Sequence, residues 1–303
     1  MSVIIGCHGF GDCLWSLIAA KYVWKVNPDV KVLLSTRKEI FEPLLYAVRP
    51  FLKFPIEQIP EELMQNNGLL TDISPLAPYA SLKDEIAIVW PDGLFKHPYR
   101  FNWEKYHVHP QTLVSTRLLK RRWNPTRAIY IGMVTSTPEY RYADIPGLIR
   151  EVALALPDYE IHYPDVKQWA GKELNLGDFD QMFPSNVFIH KNPVHKEQID
   201  IQSKCCFGIY IDNGPSHVAY HLGQPRILLD HRMGQQAWPW IARWRETTFE
   251  SVTPYLTPNI VAQLAKTNIQ VPQSCLVPRN ELAMRIAKYE ELDWGQNLIL
   301  KWS

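Results

Sequence analysis

The chain has almost no net charge, few cysteines and no long apolar run. It carries 32 Lys and Arg against 31 Asp and Glu in 303 residues, a formal net charge of +1. No overall field therefore attracts nucleic acid or acidic lipid, and any basic surface must be local. No apolar run reaches the roughly 18 residues of a membrane span, and the start of the chain lacks the basic and apolar regions of a signal peptide. We expect a globular protein of the cytoplasm, without a membrane span.

The metal-ligating residue types do not form a recognisable metal site. The cysteines, five in number, have no metal-type spacing, and their odd count favours reduced thiols in a cytoplasmic protein. His217 and His221 are four residues apart on one predicted helical face, but no third ligand lies nearby. Asp178 and Asp180 form an Asp-x-Asp pair in a predicted loop, where exposed aspartates are common. We therefore predict no metal and no required cofactor.

Strand and helix patterns alternate along most of the chain, which predicts βαβ units with parallel sheets. The first series runs from a strand at 3–6 and a helix at 14–26 to a strand at 86–90. The second runs from a strand at 128–134 through the apolar run at 226–229. The Asn124-Pro125 break separates the two series. The expected organisation is an N-terminal Rossmann-like domain at 1–125, a nucleotide-sugar-binding Rossmann-like domain at 126–275, and a C-terminal helix with its tail at 276–303. Two such domains would face a cleft that holds the ligand.

Residues 206–229 predict a buried strand, a turn, a short helix and a second strand. Pro215 marks the start of the helix and Gly223 its end, which is the usual asymmetry of proline and glycine at helix termini. The turn places the N-terminus of a helix at the carboxyl end of a strand, an arrangement that binds anions. Asp212, just before it, is positioned to hold a nucleoside. The alternative is an ordinary turn capped by Asn213 that serves only the fold.

The segment Gly6-Cys-His-Gly-Phe-Gly-Asp12 follows the first strand and leads into a helix. Gly9 and Gly11 let a ligand approach the backbone closely, and the full Gly-x-Gly-x-x-Gly fingerprint is absent. Asp12 is predicted at or near the helix N-cap, where a carboxylate is kept ionised. A plain capping role and a catalytic role both remain open for Asp12.

Residues 117–127 carry five basic side chains and one tryptophan. A solvated helix end beside a linker explains such a run, and a patch that contacts phosphates is the functional alternative. The tryptophans at 238, 240 and 244 suit either core packing or stacking on a base or a sugar ring.

These two glycine-centred units together resemble the heptosyltransferase-like family of GT-B glycosyltransferases. Gly11-Asp12 through Asn27-Pro28 fits the opening of the family, and residues 212–225 match its Asp-Ser/Thr-Gly-Pro-x-His motif at every fixed position except Asn213. Asn213 replaces a hydroxyl residue that in the family helps to hold the donor diphosphate. A third element, Thr135-Ser136-Thr137 with Arg141, fits the turn that precedes a helix in the second domain. The resemblance covers about residues 1–48 and 128–230.

The resemblance implies the GT-B fold and an inverting, metal-independent transfer of sugar from a nucleoside diphosphate to a hydroxyl acceptor. Asp12 would be the catalytic base, with Gly9, Gly11 and His8 on the acceptor side. The donor would be held by the following residues: Thr135, Ser136, Arg141, Asp212, Asn213, Gly214, Pro215, Ser216 and His217. Among these, Arg141 and the amides of Gly214–Ser216 would stabilise the departing diphosphate. The expected partners are a nucleotide-sugar donor and a glycan acceptor such as a lipopolysaccharide core.

Three alternatives remain open at this stage. In the first, the acceptor is a hydroxylated base in DNA, as for some viral transferases of this fold. In the second, the protein is a nucleotide-sugar 2-epimerase, which needs no separate acceptor. In the third, it is a non-catalytic binding protein on a transferase scaffold, which the Asn213 departure permits. The sequence does not identify the sugar, the nucleotide or the oligomeric state.

Overall fold

The computed structural model describes residues 3–7, 9–60, 86–89, 117–135, 141–169, 172–174, 176–229, 250–252 and 255–270. The chain divides into two compact units, with the division between Leu118 and Leu119. The sequence places this boundary near residue 125. The predicted C-terminal helix and tail at 276–303 lie outside the described residues. No helix in the described part of the chain is both long and apolar enough to cross a bilayer.

In its described residues, the first unit contains a four-stranded parallel sheet with two helices. Its elements are β1 (Val3–Cys7), α1 (Phe10–Val26), β2 (Lys31–Ser35), α2 (Lys38–Val48), β3 (Ile56–Gln58) and β4 (Ile86–Val89). The strand order is β3-β2-β1-β4, and each neighbouring pair is parallel. Helix α1 begins at Phe10 rather than at the predicted Leu14, because the Gly9 carbonyl already accepts from the Cys13 amide.

The second unit contains a six-stranded sheet with helices on both of its faces. Its elements are β5 (Thr126–Gly132), α3 (Ile145–Ala155), β6 (Glu160–Asp165), β7 (Gln168–Trp169), β8 (Lys172–Glu173), β9 (Val187–Lys191), α4 (His195–Lys204), β10 (Cys205–Ile211), α5 (Gly214–Leu222), β11 (Arg226–Leu229), β12 (Glu250–Val252) and α6 (Pro258–Gln270). The order of the sheet is β12-β11-β10-β5-β6-β9, with every neighbouring pair parallel. Strands β7 and β8 form a separate antiparallel pair. The α/β prediction with parallel sheets is confirmed.

One face of the six-stranded sheet is apolar, and we call it the isoleucine face. It is formed by alternate residues of the central strands, including Ile129, Ile131, Ile209, Ile211 and Ile227, all fully buried. Helices α3 and α6 pack against each other over this face and complete its core. Burial of this apolar surface stabilises the unit.

The opposite face carries polar and aromatic side chains, and we call it the tyrosine face. Tyr130 of β5 lies opposite Gly208 of β10, and Tyr210 of β10 lies opposite Gly132 of β5. Each tyrosine therefore has a glycine beside it in the sheet, and the two rings stack with centroids 5.8 Å apart. A Cβ atom on Gly132 would lie 2.4 Å from the Tyr210 ring, so only glycine fits there without a shift. Helices α4 and α5 pack on each other, with α4 against β5 and α5 against β10.

Candidate functional site

The turn between β10 and α5 is closed by a reciprocal cap. The Asn213 Oδ1 accepts from the Ser216 amide at 3.0 Å, and the Asn213 amide donates to the Ser216 Oγ at 3.2 Å. Gly214 and Pro215 occupy the first two positions of the helix, so the proline is at the second position rather than the predicted first. Gly223 ends the helix in the left-handed conformation, with φ of 80°, which confirms the predicted stop.

This cap reduces the number of backbone amides that can face a ligand. Pro215 has no N–H group, and the Ser216 N–H is donated to Asn213. Among the three residues Gly214–Ser216, only the Gly214 amide is therefore outside the cap. The positive end of the α5 dipole still favours an anion at this position, but a diphosphate needs further donors from neighbouring loops.

The Asn213 side chain also joins the turn to the neighbouring strand. Its Nδ2 donates to the Gly132 carbonyl at 2.8 Å and to the Val134 carbonyl at 3.0 Å. These carbonyls lie at the end of β5 and in the loop that follows it. The structure thus brings the 212–213 turn beside the loop that contains Thr135, although the two segments are about 80 residues apart in sequence.

A buried polar network supports the same turn from the tyrosine face. Gln202 of α4 donates from Nε2 to the Pro215 carbonyl at 2.7 Å and to the Tyr210 hydroxyl at 2.9 Å. The Tyr210 hydroxyl donates in turn to the Gln224 Oε1 at 2.5 Å, and the Gln224 Nε2 donates to the Cys205 carbonyl at 2.9 Å. Burial raises the pKa of Tyr210 well above its ordinary value, so the phenol stays protonated as a donor.

The remaining residues of the motif lie within the same turn and helix. The Asp212 Oδ1 is 4.0 Å from the His217 Nε2, and both side chains are mostly buried. His221 is fully buried with its ring edge against Tyr220, and it lies inside the fold rather than beside His217 at a surface. In the described residues, no group of three or more metal-ligating side chains is present.

The loop between β5 and α3 contributes the second predicted set of donor residues. Thr135 is half-buried in it. Arg141 is also half-buried, and its Nε is buried without a hydrogen-bond partner in the part of the chain that the structure describes. Asp144 caps α3 by accepting from the Gly147 amide at 2.8 Å. Ser136 lies outside the described residues.

A charged cluster at the same edge of the sheet was not predicted. Asp165, 1% exposed, ends β6 and is 3.1 Å from the Lys191 Nζ and 3.4 Å from the Lys167 Nζ. Lys191 also contacts Asp180 at 2.7 Å, which raises the pKa of Lys191 and lowers the pKa of Asp180. The available signal was an aspartate directly after an apolar strand. The Asp180 amide donates to the Asp178 Oδ1 at 2.9 Å, so this pair forms a turn.

The basic segment at 117–127 is partly occupied by contacts within the fold. Lys120–Arg122 forms one 3₁₀ turn, and Arg122 lies 3.6 Å from Asp200. The Trp123 indole donates to the Cys205 carbonyl at 3.0 Å. None of these contacts supports DNA as the acceptor. The tryptophans at 238, 240 and 244 lie outside the described residues.

The predicted acceptor-side residues and the predicted base belong to the first unit. Gly9 precedes α1, and Gly11 and Asp12 lie in its first turn. Asp12 is therefore inside the helix rather than at its N-cap, which Gly9 occupies. His8 and the side chain of Asp12 lie outside the described residues.

Comparison with known proteins gives matches in structure but not in sequence. No protein-family model and no curated protein matches the chain. The solved structure of Escherichia coli heptosyltransferase WaaC with ADP is similar at a TM-score of 0.54 and 13% identity, covering 89% of this chain and 98% of that one. A family 9 glycosyl transferase from Veillonella parvula is similar at a TM-score of 0.51 and 13% identity, covering 75% and 80%.

These likenesses extend over most of both chains, and at 13% identity they establish the fold. The chain has the GT-B fold of the heptosyltransferases, as the two glycine-centred motifs predict. The motif resemblance rests on residue types, and the fold likeness rests on backbone geometry.

Proposed function

We propose that this protein is an inverting, metal-independent glycosyltransferase that uses a nucleoside-diphosphate sugar as donor. The observation that carries the proposal is the turn at 212–216, at the carboxyl edge of the six-stranded sheet, in a chain with the fold of a heptosyltransferase that binds ADP. In open α/β sheets, ligands bind at this edge. Fold alone does not define an activity, so the residues of the turn and of the Thr135 loop carry the argument.

In the proposed reaction, Asp12 accepts the proton of an acceptor hydroxyl as the oxygen attacks the anomeric carbon. The new C–O bond forms on the face opposite the departing diphosphate, so the configuration inverts. The bond to the diphosphate breaks with its electron pair on the phosphate oxygen. The N-terminus of α5, Arg141 and Thr135 stabilise that charge, and Asp212 holds the nucleoside. These groups provide the positive potential that a divalent cation provides elsewhere.

The donor side is tested by calorimetric titration with ADP, GDP and UDP in the presence of EDTA. We expect at least one of them to bind, and ADP is the first candidate because the WaaC structure contains it. Arg141→Ala should weaken binding about 10- to 100-fold, because a charge-assisted hydrogen bond contributes about 1.5–3 kcal/mol. Arg150→Ala is the matched control, because Arg150 bonds to Gln181 and lies in α3 away from its N-terminus. Equal affinities for the two variants would contradict the placement of Arg141.

The catalytic role is tested with the matching nucleotide sugar and a lipopolysaccharide core fragment. We expect Asp12→Asn to abolish release of the nucleoside diphosphate while leaving its binding unchanged. Binding of no nucleotide would contradict the transferase proposal. Conversion of the nucleotide sugar in the absence of any acceptor would instead favour an epimerase.

A further inference from the structure

The Asn213 side chain uses all of its hydrogens for bonds within the protein. Its two Nδ2 hydrogens go to the Gly132 and Val134 carbonyls, at 2.8 and 3.0 Å. Its Oδ1 accepts from the Ser216 amide at 3.0 Å. An asparagine side chain has two donor hydrogens, so no donor of this side chain remains for a ligand.

We propose that Asn213 is a positioning residue that holds the N-terminus of α5 against the 133–135 loop, and that it does not bind the donor diphosphate itself. This inference rests on the proposed function. In the resembled family a hydroxyl residue stands at this position and helps to hold the diphosphate. Here the Gly214 amide and the Thr135 loop bind the diphosphate, and Asn213 fixes the distance between them.

An amide suits this task because it acts on three backbone groups at once. A serine or threonine hydroxyl has one hydrogen, so it donates to one of the two carbonyls and leaves the other without its donor. The far side of the turn is held independently by Gln202, which donates to the Pro215 carbonyl at 2.7 Å. The turn is therefore fixed from two directions before any ligand arrives, and such preorganisation increases affinity.

Asn186 provides a matched control within the same unit. Its Nδ2 donates to three backbone carbonyls, those of Ala153, Leu156 and Tyr159, at 2.9 to 3.4 Å. Asn186 directly precedes β9 and so lies at the amino edge of the sheet, opposite the edge of the candidate site. A change at Asn186 therefore removes a side-chain amide that bonds to several backbone carbonyls, without altering the candidate site.

The experiment compares Asn213→Asp, Asn213→Thr and Asn186→Asp with the wild-type chain. Thermal unfolding measures stability, and calorimetry measures affinity for ADP, or for GDP or UDP if one of these is the nucleotide bound. We expect Asn213→Asp and Asn186→Asp to lower the melting temperature by similar amounts. Asn213→Asp should weaken nucleotide binding more than tenfold and Asn213→Thr about tenfold, and Asn186→Asp should leave it within twofold.

Three results would overturn the proposal. Undiminished or tighter binding by Asn213→Thr would mean that residue 213 contacts the phosphates directly, as a hydroxyl does in the family. Unchanged binding by both Asn213 variants would remove residue 213 from the site while leaving the proposed function intact. Absence of binding to any nucleotide by the wild-type chain would refute the proposed function, and the positioning role would be refuted with it.

Discussion

The two faces of the six-stranded sheet are built on different principles. The isoleucine face buries mainly aliphatic side chains, which interact through their shape, and α3 and α6 cover it. The tyrosine face has buried hydroxyls and amides whose hydrogen bonds each have a direction, from Gln202 through Tyr210 to Gln224. The first arrangement tolerates exchanges of similar volume. The second depends on specific hydrogen-bond partners, because removing the partner of a buried polar group is costly.

This difference assigns separate tasks to the two faces. Gln202 reaches the Pro215 carbonyl in the first turn of α5, so the polar network ends at the candidate site. The aliphatic side chains of the isoleucine face carry no hydrogen-bonding groups, so they cannot hold the turn in this way. The apolar face therefore stabilises the unit, and the polar face determines the geometry of the turn.

The largest expected effect is a loss of stability without a loss of affinity. Ile131→Ala removes a fully buried side chain from the isoleucine face. We expect the free energy of unfolding to fall by about 2–5 kcal/mol, through lost burial and the remaining cavity. Urea denaturation measures this fall. Nucleotide affinity of the folded variant, titrated at low temperature, should stay within about twofold, and a tenfold loss would contradict the separation of tasks.

The next residue along β5 provides the opposite test. Gly132→Ala places a Cβ 2.4 Å from Cδ1 and 2.7 Å from Cε1 of the buried Tyr210 ring. We expect a smaller cost in stability, about 1–3 kcal/mol, from overpacking. Affinity should also fall, because the shift of Tyr210 disturbs its bonds to Gln202 and Gln224 and Gly132 itself bonds to Asn213.

A double-mutant cycle identifies the source of this cost. In a Tyr210→Ala background, the ring that meets the added methyl group is absent. Gly132→Ala should then cost less than it does in the wild-type chain. Equal costs in both backgrounds would show that the backbone of β5, rather than the tyrosine, resists the substitution.

Local signals make the bounds of α5 predictable from the sequence, whereas its contacts with other elements are not predictable in this way. Pro215 and Gly223 mark the start and the end of the helix by their own conformational preferences, which need no tertiary partner. Asn213 looks like an ordinary cap in sequence, since its bonds to Gly132 and Val134 span 81 and 79 residues. The same holds for Gln202, whose acceptor on Pro215 is set by the packing of α4 on α5.

Short or weakly patterned elements were also missed. Strand β3, Ile56–Gln58, has three residues and no clear alternation, so its pairing with β2 decides its conformation. Helix α6, Pro258–Gln270, follows Thr257 and has proline at its first position, a start signal that was available but not used. The start of α1 was placed too late because Gly9 and Gly11 suggest a turn, although the helix already includes Gly11.

The smallest expected effect is a pH dependence that belongs to the tyrosine face alone. His162 and His190 lie on this face, with the His162 Nδ1 2.9 Å from the His190 Nε2. Burial lowers the pKa of both, and the neighbouring His162 lowers that of His190 further. The charged groups that act on the pair are Glu160, which lies 3.3 Å from His162, and Lys204 and Glu197.

Because both folded-state pKa values lie below the ordinary value of about 6.5, the unfolded chain binds protons first as the pH falls. The contribution of the pair to stability is therefore fully present at neutral pH and is lost as the pH drops below about 6.5. We expect His190→Asn to reduce the loss of stability between pH 7 and pH 5, measured by urea denaturation at each pH. Ile131→Ala should lower stability equally at both pH values, because no titrating group is altered on the isoleucine face. If the free energy of unfolding of His190→Asn still depends on pH as in the wild-type chain, the dependence belongs to groups outside this pair. The two faces would then differ in packing but not in their response to protons.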